Sequence, residues 1–547
     1  MTERIPAHLG NRFTGLHAAA GLWLAVVGIA LFVRPLLPVD ETRYLAVAWD
    51  MWLQGNYLVP HLNGEPYSHK PPLLFWLMTG GWHLFGVNEW WPRLVAPLFG
   101  LGCLFFTARL ARILWPERPE IADWAPMMLF GCVFWTLFTT LTMFDMILAF
   151  FTLAALIGLV MAARTGRWRG FIAAGIAIGF GGLAKGPAIL LHILPVALTA
   201  PWWLPGLTGG ASISLPRWFA GVGVSVFLGV AIGLCWAVPA GLTGGEEYRN
   251  AIFWGQSAGR IVKSFAHARP FWWYAAVLPA LILPWLIWPV LWKACRGLSA
   301  GFSDGGVRLC VIWFLAAFIV FSLISGKQLH YLLPEFPALA LLATFLLTTS
   351  PEAVGEKRPW LPVGAALALG LSLLASPTLP VTGRIQETIA GINHQWGGLL
   401  AVIAVLVLLR PASLASQIRC LTVTAAAAAV VLYLAAAPFL HTRYDLAPLA
   451  HDLKAYEDAG KPIGDFGKYY GQYHFAGRLR KPIAEIGLDR RKERQFIAEN
   501  PNGVIIAYYR NLPTIAKPLK TYRFRRLTTA IWPVKTFREH PEIGNRR

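Results

Sequence analysis

About thirteen apolar runs, each approaching the length that crosses roughly 30 Å of hydrocarbon, constrain this chain more than any other feature. They lie near 15–36, 90–113, 124–143, 146–163, 169–184, 187–203, 218–240, 271–292, 307–325, 331–348, 360–377, 396–410 and 418–438. A chain with so many runs cannot hide them all in one water-soluble core. It must use a bilayer as solvent. The composition agrees: 56% of side chains are hydrophobic, only 14% are charged, and mean hydropathy is +0.52. Pro and Gly are frequent at 39 and 52 residues, which membrane helices accept where neighbours satisfy the freed backbone. The first run reads as a retained anchor, because it is too long for a signal-peptide core and no small-x-small cleavage site follows it.

Sidedness follows from the Lys and Arg between the runs, since cytoplasmic loops collect positive charge. Arg4, Arg12, Arg109, Arg112, Arg164, Arg167, Arg169, Arg217, Lys293, Arg296, Arg308, Lys357, Arg358, Arg410 and Arg419 fall on one side, read as the cytoplasm. The loop 37–89, the turns at Asp145 and Lys185, the loop 241–270, the turn 325–330 and the C-terminal tail fall on the other. The expectation is a multi-pass inner-membrane protein with its N-terminus in the cytoplasm and its tail in the periplasm. The formal charge of +20 is thereby explained by topology, with contact to membrane lipid or an anionic substrate as the more specific reading. It does not form a nucleic-acid footprint. Cys103, Cys132, Cys235, Cys295, Cys310 and Cys420 sit in or beside apolar runs without ligand spacing, and read as small packing residues.

Two domains are expected: 1–439 in the membrane, including a first periplasmic loop at 37–89, and 440–547 in water. The second carries 21 Lys and Arg against 11 Asp and Glu. Strand patterns at 503–509 and 522–527, with helical stretches at 446–458 and 489–499, predict a small α/β unit. Its segment 467–482, GKYYGQYHFAGRLRKP, reads either as packed helix and turn or as an acceptor-recognising surface of aromatics and cations.

The chemistry-bearing residues gather on the periplasmic side. Residues 41–54 predict an amphipathic helix with an apolar stripe of Tyr44, Val47, Ala48, Met51 and Trp52. Asp40 and Glu41 stand at its start, either as helix-capping carboxylates or as groups that orient a nucleophile or sugar. Asp145, Lys185, Arg260, His267, Lys327 and Tyr331 fall on the same side. Charges within apolar sequence are costly unless paired or wetted, so together they imply a polar cavity. Lys185 alone could equally snorkel to the interface.

DETRY at 40–44, NGEPY-x-x-KPP at 63–72, NEWWPR at 88–93, KGP at 185–187, PFWWY at 270–274 and GKxxxYLLP at 326–334 occur in this order. Together they resemble the protein O-mannosyltransferase and aminoarabinose (lipid A) transferase-like family of GT-C glycosyltransferases. The resemblance implies a GT-C fold: a polytopic α-helical membrane protein with extracytoplasmic amphipathic helices and a small C-terminal α/β domain. It also implies an inverting enzyme that moves a sugar from undecaprenyl phosphate to lipid A or another envelope acceptor. Asp40 would be the catalytic carboxylate, with Asp145 and Glu41 beside it. Arg43, Lys70, Lys185, Arg260, His267, Lys327 and Tyr331 would bind substrate, with Lys70, Arg260 and Tyr331 on the donor phosphate. Cations pre-aimed at a leaving phosphate stabilise the transition state more than the ground state.

Family positions associated with a divalent metal differ in this chain: His69 precedes Lys70 where relatives carry Glu, and Gln256-Ser257 replaces their Glu-His. The expectation is therefore that no cofactor is required, with His69 and His267 as the remaining candidate ligands. A polyprenyl-linked-sugar flippase is the alternative; inverted paired halves and unusual charged groups on both faces would favour it, whereas here those groups gather on one face.

Overall fold

The computed structural model describes residues 14–207, 209–255, 268–350, 358–409, 413–487 and 489–544. Among these, eight helices are long and apolar enough to cross a membrane, or up to eleven if each of three bent pairs is one span. The thirteen apolar runs thus give fewer uninterrupted helices, and the breaks have local causes. The run 124–143 becomes α5 (Pro119–Phe130) and α6 (Val133–Thr139), bent by 72°. The amide of Val133, freed by the break, donates to the Leu283 carbonyl at 3.0 Å, so a neighbouring segment satisfies it. The run 271–292 carries Pro279, Pro284 and Pro289 and divides into Trp273–Leu281, a single turn at Trp285–Ile287, and Pro289–Cys295, because proline cannot continue the i→i−4 ladder.

The bundle begins with α1 (Thr14–Val33) and α2 (Asp40–Gln54), followed by a hairpin of β1 (His61–Leu62) and β2 (Glu65–Pro66). Its turn is Asn63-Gly64, both at positive φ, which matches strand twist in a two-residue hairpin. Then come α3 (Leu73–Phe85), α4 (Trp90–Leu114), α5, α6, α7 (Phe144–Thr165), α8 (Trp168–Lys185) and α9 (Ala188–Leu198). Helices α7 and α8 meet backbone to backbone: a Cβ on Gly158 would lie 2.7 Å from the Gly170 carbonyl oxygen, and one on Gly170 2.6 Å from that of Gly158. Small residues permit this approach where no hydrophobic effect drives helices together. The contact sets the spacing of two helices that carry Asp145 and Lys185.

The long helix Leu414–Tyr444 leads into the C-terminal unit. There β3 (Ile463–Asp465), β4 (Ala484–Glu485), β5 (Val504–Tyr509), β6 (Lys520–Phe524) and β7 (Leu527–Pro533) form a sheet ordered β4-β3-β5-β7-β6. Strand β3 is parallel to β4 and β5, while β7 is antiparallel to β5 and β6. Helices Ala447–Asp458 and Arg490–Glu499 fall on the two stretches predicted for them. The pattern read as one strand over 522–527 turns at Arg525, at positive φ, so β7 was not foreseen.

Segment 471–483 of this unit packs on α2 and the hairpin. Trp49 Nε1 donates to the Leu479 carbonyl at 2.7 Å, and Asn63 exchanges two hydrogen bonds with the Ile483 backbone at 2.8 and 2.9 Å. Phe475 stacks on Trp82 with ring centroids 5.3 Å apart. Helix α2 is therefore not half-solvated as its amphipathic pattern predicted: Leu45, Ala46 and Trp49 are buried along with Tyr44, Val47, Ala48 and Met51. Two of the three tyrosines of 467–482, Tyr469 and Tyr473, are buried as well. Tyr473 and Tyr508 share a hydrogen bond at 2.6 Å, and Tyr508 donates to buried Asp465 at 2.8 Å. Burial pushes both phenols above their ordinary titration range, which keeps them neutral donors. Tyr469, Tyr473, Phe475 and Leu479 of this segment are packed, while Lys468, Arg480 and Lys481 stay exposed.

Candidate functional site

Helix α2 starts after Val39, whose side chain cannot cap it, and neither acidic residue supplies a side-chain cap to the N-cap position. Asp40 instead pairs with Arg43 one turn later and accepts a hydrogen bond from Tyr44 Oη at 3.3 Å, while half its side chain remains exposed. It is a fixed but accessible carboxylate.

Glu41, expected beside Asp40 in catalysis, is only 2% exposed. It accepts both arms of the Arg34 guanidinium, one at 2.8 Å, and the amides of Leu37 at 2.9 Å and Thr142 at 2.8 Å. Its acceptor positions are consumed by the scaffold. What Glu41 does is tie the end of α1, the start of α2 and the segment before α7 into one corner. Arg34 completes that corner by donating to the Thr140 carbonyl at 2.7 Å, and Arg93 of α4 clasps it through the Arg34 carbonyl at 2.7 Å.

From that corner α7 opens with Phe144 and Asp145. The Phe144 ring packs edge-on against Tyr44 at 4.9 Å, and Lys70 lies over its face with Nζ 5.4 Å from the centroid. Asp145, 2% exposed, pairs with Lys185, the last residue of α8. Lys185 does not snorkel outward; it reaches into the bundle, and its Nζ sits 4.6 Å from the centre of the Tyr331 ring. His330 Nε2 approaches Asp145 Oδ2 at 3.9 Å, with its ring edge-on to Tyr331 at 5.1 Å. Lys70 and Asp40 both lie within electrostatic reach of His330. Asp40, Arg43, Lys70, Asp145, Lys185 and Tyr331 are thus brought into one neighbourhood.

Lys327 serves differently from the substrate contact expected of it. It is 3% exposed, and its ammonium donates to the carbonyls of Arg269, at 3.0 Å, and Ile324. With the Ala268–Gly326 bridge it fastens two loops to each other. Arg260, His267, Gln256 and Ser257 lie outside the described residues. His69 is exposed, its ring 5.2 Å from that of Tyr67. Among the described residues no group of three His, Cys, Asp or Glu side chains is placed to hold a metal; the described donors do not fit one.

Sequence reasoning overlooked His330, although it sits inside the motif at 326–334, and Arg34, a lone charge ending an apolar run. It also overlooked a fully buried pair, His192 on α9 with Glu335 at the end of the turn Leu329–Glu335. That pair pins the segment carrying His330 and Tyr331. Glu335→Leu is expected to destabilise the protein by about 1–3 kcal/mol, the cost of leaving a buried polar partner unmet. Adding His192→Leu should recover much of the loss. Thermal unfolding of the purified variants checks this, and equal losses in single and double variants would remove the idea of a coupled pair.

A family model described as dolichyl-phosphate-mannose-protein mannosyltransferase matches residues 69–236, which include Lys70, Asp145 and Lys185. An undecaprenyl phosphate-alpha-4-amino-4-deoxy-L-arabinose arabinosyl transferase of Edwardsiella ictaluri is 29% identical over 346 residues, 61% of this chain and 59% of that protein. One from Pseudomonas fluorescens is 30% identical over 346 residues, 59% of this chain and 57% of its own length. The chain therefore matches less than two thirds of these relatives. The crystal structure of ArnT from Cupriavidus metallidurans bound to undecaprenyl phosphate superposes with a TM-score of 0.74 at 20% identity, covering 94% of this chain and 97% of that one. The chain shares the GT-C fold of that structure and is similar in sequence to the aminoarabinose transferases. The GT-C fold accounts for the layout just described, with a membrane bundle and a small sheet unit capping the end of the bundle where α2 lies.

Proposed function

We propose that this GT-C protein transfers a monosaccharide from an undecaprenyl-phosphate carrier to lipid A or another envelope glycan, on the periplasmic face of a bacterial inner membrane. One observation carries the reading: an accessible carboxylate, Asp40 with Arg43, stands beside a cluster in which Lys70, Lys185, His330 and Tyr331 surround buried Asp145. Such a set suits a displacement at an anomeric carbon. The bond from sugar to phosphate oxygen breaks while the acceptor oxygen attacks from the opposite face, inverting the centre. The departing phosphate gains charge, and Lys70 and Lys185 with Arg260 stabilise it. A hydroxyl acceptor would lose its proton to Asp40. No nucleotide sugar and no cofactor enter this scheme, and no step is routed through a metal. The charge bias of the loops supports a cytoplasmic N-terminus and a periplasmic C-terminal unit.

The test is mass spectrometry of envelope lipids and undecaprenyl-linked sugars from cells with and without the protein. Loss of one sugar from one acceptor, with the linked donor accumulating on the outer leaflet, is expected. Donor accumulating on the inner leaflet would instead identify a flippase. In purified protein, Lys70→Ala should weaken undecaprenyl-phosphate retention about 10- to 100-fold, the scale of a charge-assisted hydrogen bond. Unchanged co-purification of the lipid would remove Lys70 from the phosphate site.

A further inference from the structure

A second lipid-facing feature lies at the other end of the same helices. Leu16 and His17 of α1, with Phe105, Phe106, Arg109 and Arg112 of α4, line a groove of about 380 Å³. From His17 to Arg34 along α1, and from Arg93 to Arg109 along α4, the helical rise of 1.5 Å per residue gives about 25 Å. The groove is thus most of a hydrocarbon thickness away from the corner built by Arg34, Glu41 and Arg93, at the opposite boundary of the bilayer. It plays no part in the proposed transfer.

The chemistry of its lining divides along its length. Phe105, 46% exposed, together with Phe106 and Leu16, offers an apolar wall. Arg109 and Arg112 are three residues apart on one helix and so project from the same face; both are exposed, as is His17 on the facing helix. Among the described residues that line it there is no carboxylate. The Nη2 of Arg109 touches the Met161 sulfur at 3.7 Å, a weak acceptor that commits little of the guanidinium's donor capacity. Guanidinium groups match phosphate oxygens in a bidentate way, and the apolar wall suits the first segment of an acyl chain. Basic pockets between helices at the cytoplasmic boundary are suited to anionic head groups.

We propose that this groove is a binding site for an anionic glycerophospholipid, held by its phosphate on Arg109 and Arg112 and by its acyl chain on Phe105, Phe106 and Leu16. The competing account is that two arginines merely snorkel to the interface, in which case attraction is generic and any exposed basic pair at that boundary would serve equally. Lys293 and Arg296, exposed and assigned to the same side by the loop charges, supply that comparison.

The experiment uses the full-length protein in nanodiscs of phosphatidylethanolamine and phosphatidylglycerol, with lipids retained after release counted by native mass spectrometry. The wild type is expected to retain phosphatidylglycerol over phosphatidylethanolamine. Arg109→Ala with Arg112→Ala should lose roughly tenfold or more of that preference, on the scale of two cationic contacts, whereas Lys293→Ala with Arg296→Ala should keep it. Should the arginine double variant fail to purify as a monodisperse species, His17→Glu tests the same site by placing a carboxylate in the groove, and it too should expel the anionic lipid. Equal losses from both basic pairs, retention by the arginine variant or by His17→Glu, or displacement of phosphatidylglycerol by undecaprenyl phosphate would each overturn the proposal.

Discussion

Glu41→Ala is expected to be the most damaging single substitution in this chain for its folding, although Glu41 touches no substrate in the proposed scheme. Arg34 and Glu41 are both almost wholly buried, with side-chain exposures of 0% and 3%. Truncating the glutamate leaves a guanidinium without its counter-ion and the amides of Leu37 and Thr142 without an acceptor. Breaking one side of a buried pair costs about 3–5 kcal/mol, against a total stability on the order of 5–15 kcal/mol. The expected outcome is a large fall in the thermal midpoint or failure to purify. Glu41→Gln should lose less, since its amide oxygen still accepts two of the four hydrogen bonds. Arg34→Met with Glu41→Met, which removes both charges, should recover much of the loss. Fluorescence-detected size exclusion after a heating series reads all four proteins. A stable, monodisperse Glu41→Ala would refute the corner as a structural requirement.

Acidification should act through the same group. Burial alone would raise the Glu41 carboxyl, but Arg34, with Arg93 and the Thr142 amide, outweighs it and holds the carboxyl below its ordinary value. A carboxylate depressed in the folded state stabilises the protein above its unfolded value, about 4.3. That contribution is lost as pH falls below that value towards the folded one. The corner should therefore be insensitive to pH near neutrality and weaken only in acid.

What was legible in the sequence, and what was not, follows from the range over which each interaction acts. Hydropathy located the spans because a bilayer imposes one length on every helix. It could not show that 124–143 breaks between α5 and α6, since the break is stabilised by a bond to Leu283, distant in sequence. The helix read over 41–54 starts one residue earlier, at Asp40, and its end at Gly55, a left-handed C-cap, follows the usual helix stop. Its full burial was not readable, because the covering segment 471–483 lies more than four hundred residues later. In the site, charges stranded in apolar sequence marked Asp145 and Lys185 as groups that need pairing or water, and the structure pairs them with each other. The same logic applied to Arg34 and to Glu335, which were passed over because Arg34 sits at an ordinary helix end and Glu335 follows a proline in an otherwise apolar motif. Glu41 and Lys327 were marked by residue type and position, and only three-dimensional contacts reveal that their hydrogen-bonding capacity is spent on the scaffold.

Asp40→Asn is expected to abolish transfer while leaving the fold and donor binding intact. Two carboxylates stand near the proposed reaction centre, and their surroundings separate their roles. Asp145 is buried and engaged by Lys185 and His330; taking up a proton would cost it the Lys185 pair, so it orders the cationic cluster. Asp40 has half of its side chain exposed and can meet an acceptor. If the acceptor is a hydroxyl, removing a general base costs about 10²- to 10⁴-fold in rate, and the loss should fall on kcat with the KM for donor little changed. If the acceptor is a phosphate, already ionised at neutral pH, Asp40 only orients it and the loss should be smaller. Asp145→Asn should show the opposite split: Lys185 loses its partner, and weakened donor retention accompanies any fall in rate. Single-turnover transfer from a purified undecaprenyl-linked donor, measured with both variants against a hydroxyl and a phosphate acceptor, distinguishes these outcomes. Wild-type turnover by Asp40→Asn on both acceptors would remove Asp40 from the chemistry and leave the accessible carboxylate of α2 as a partner of Arg43 alone.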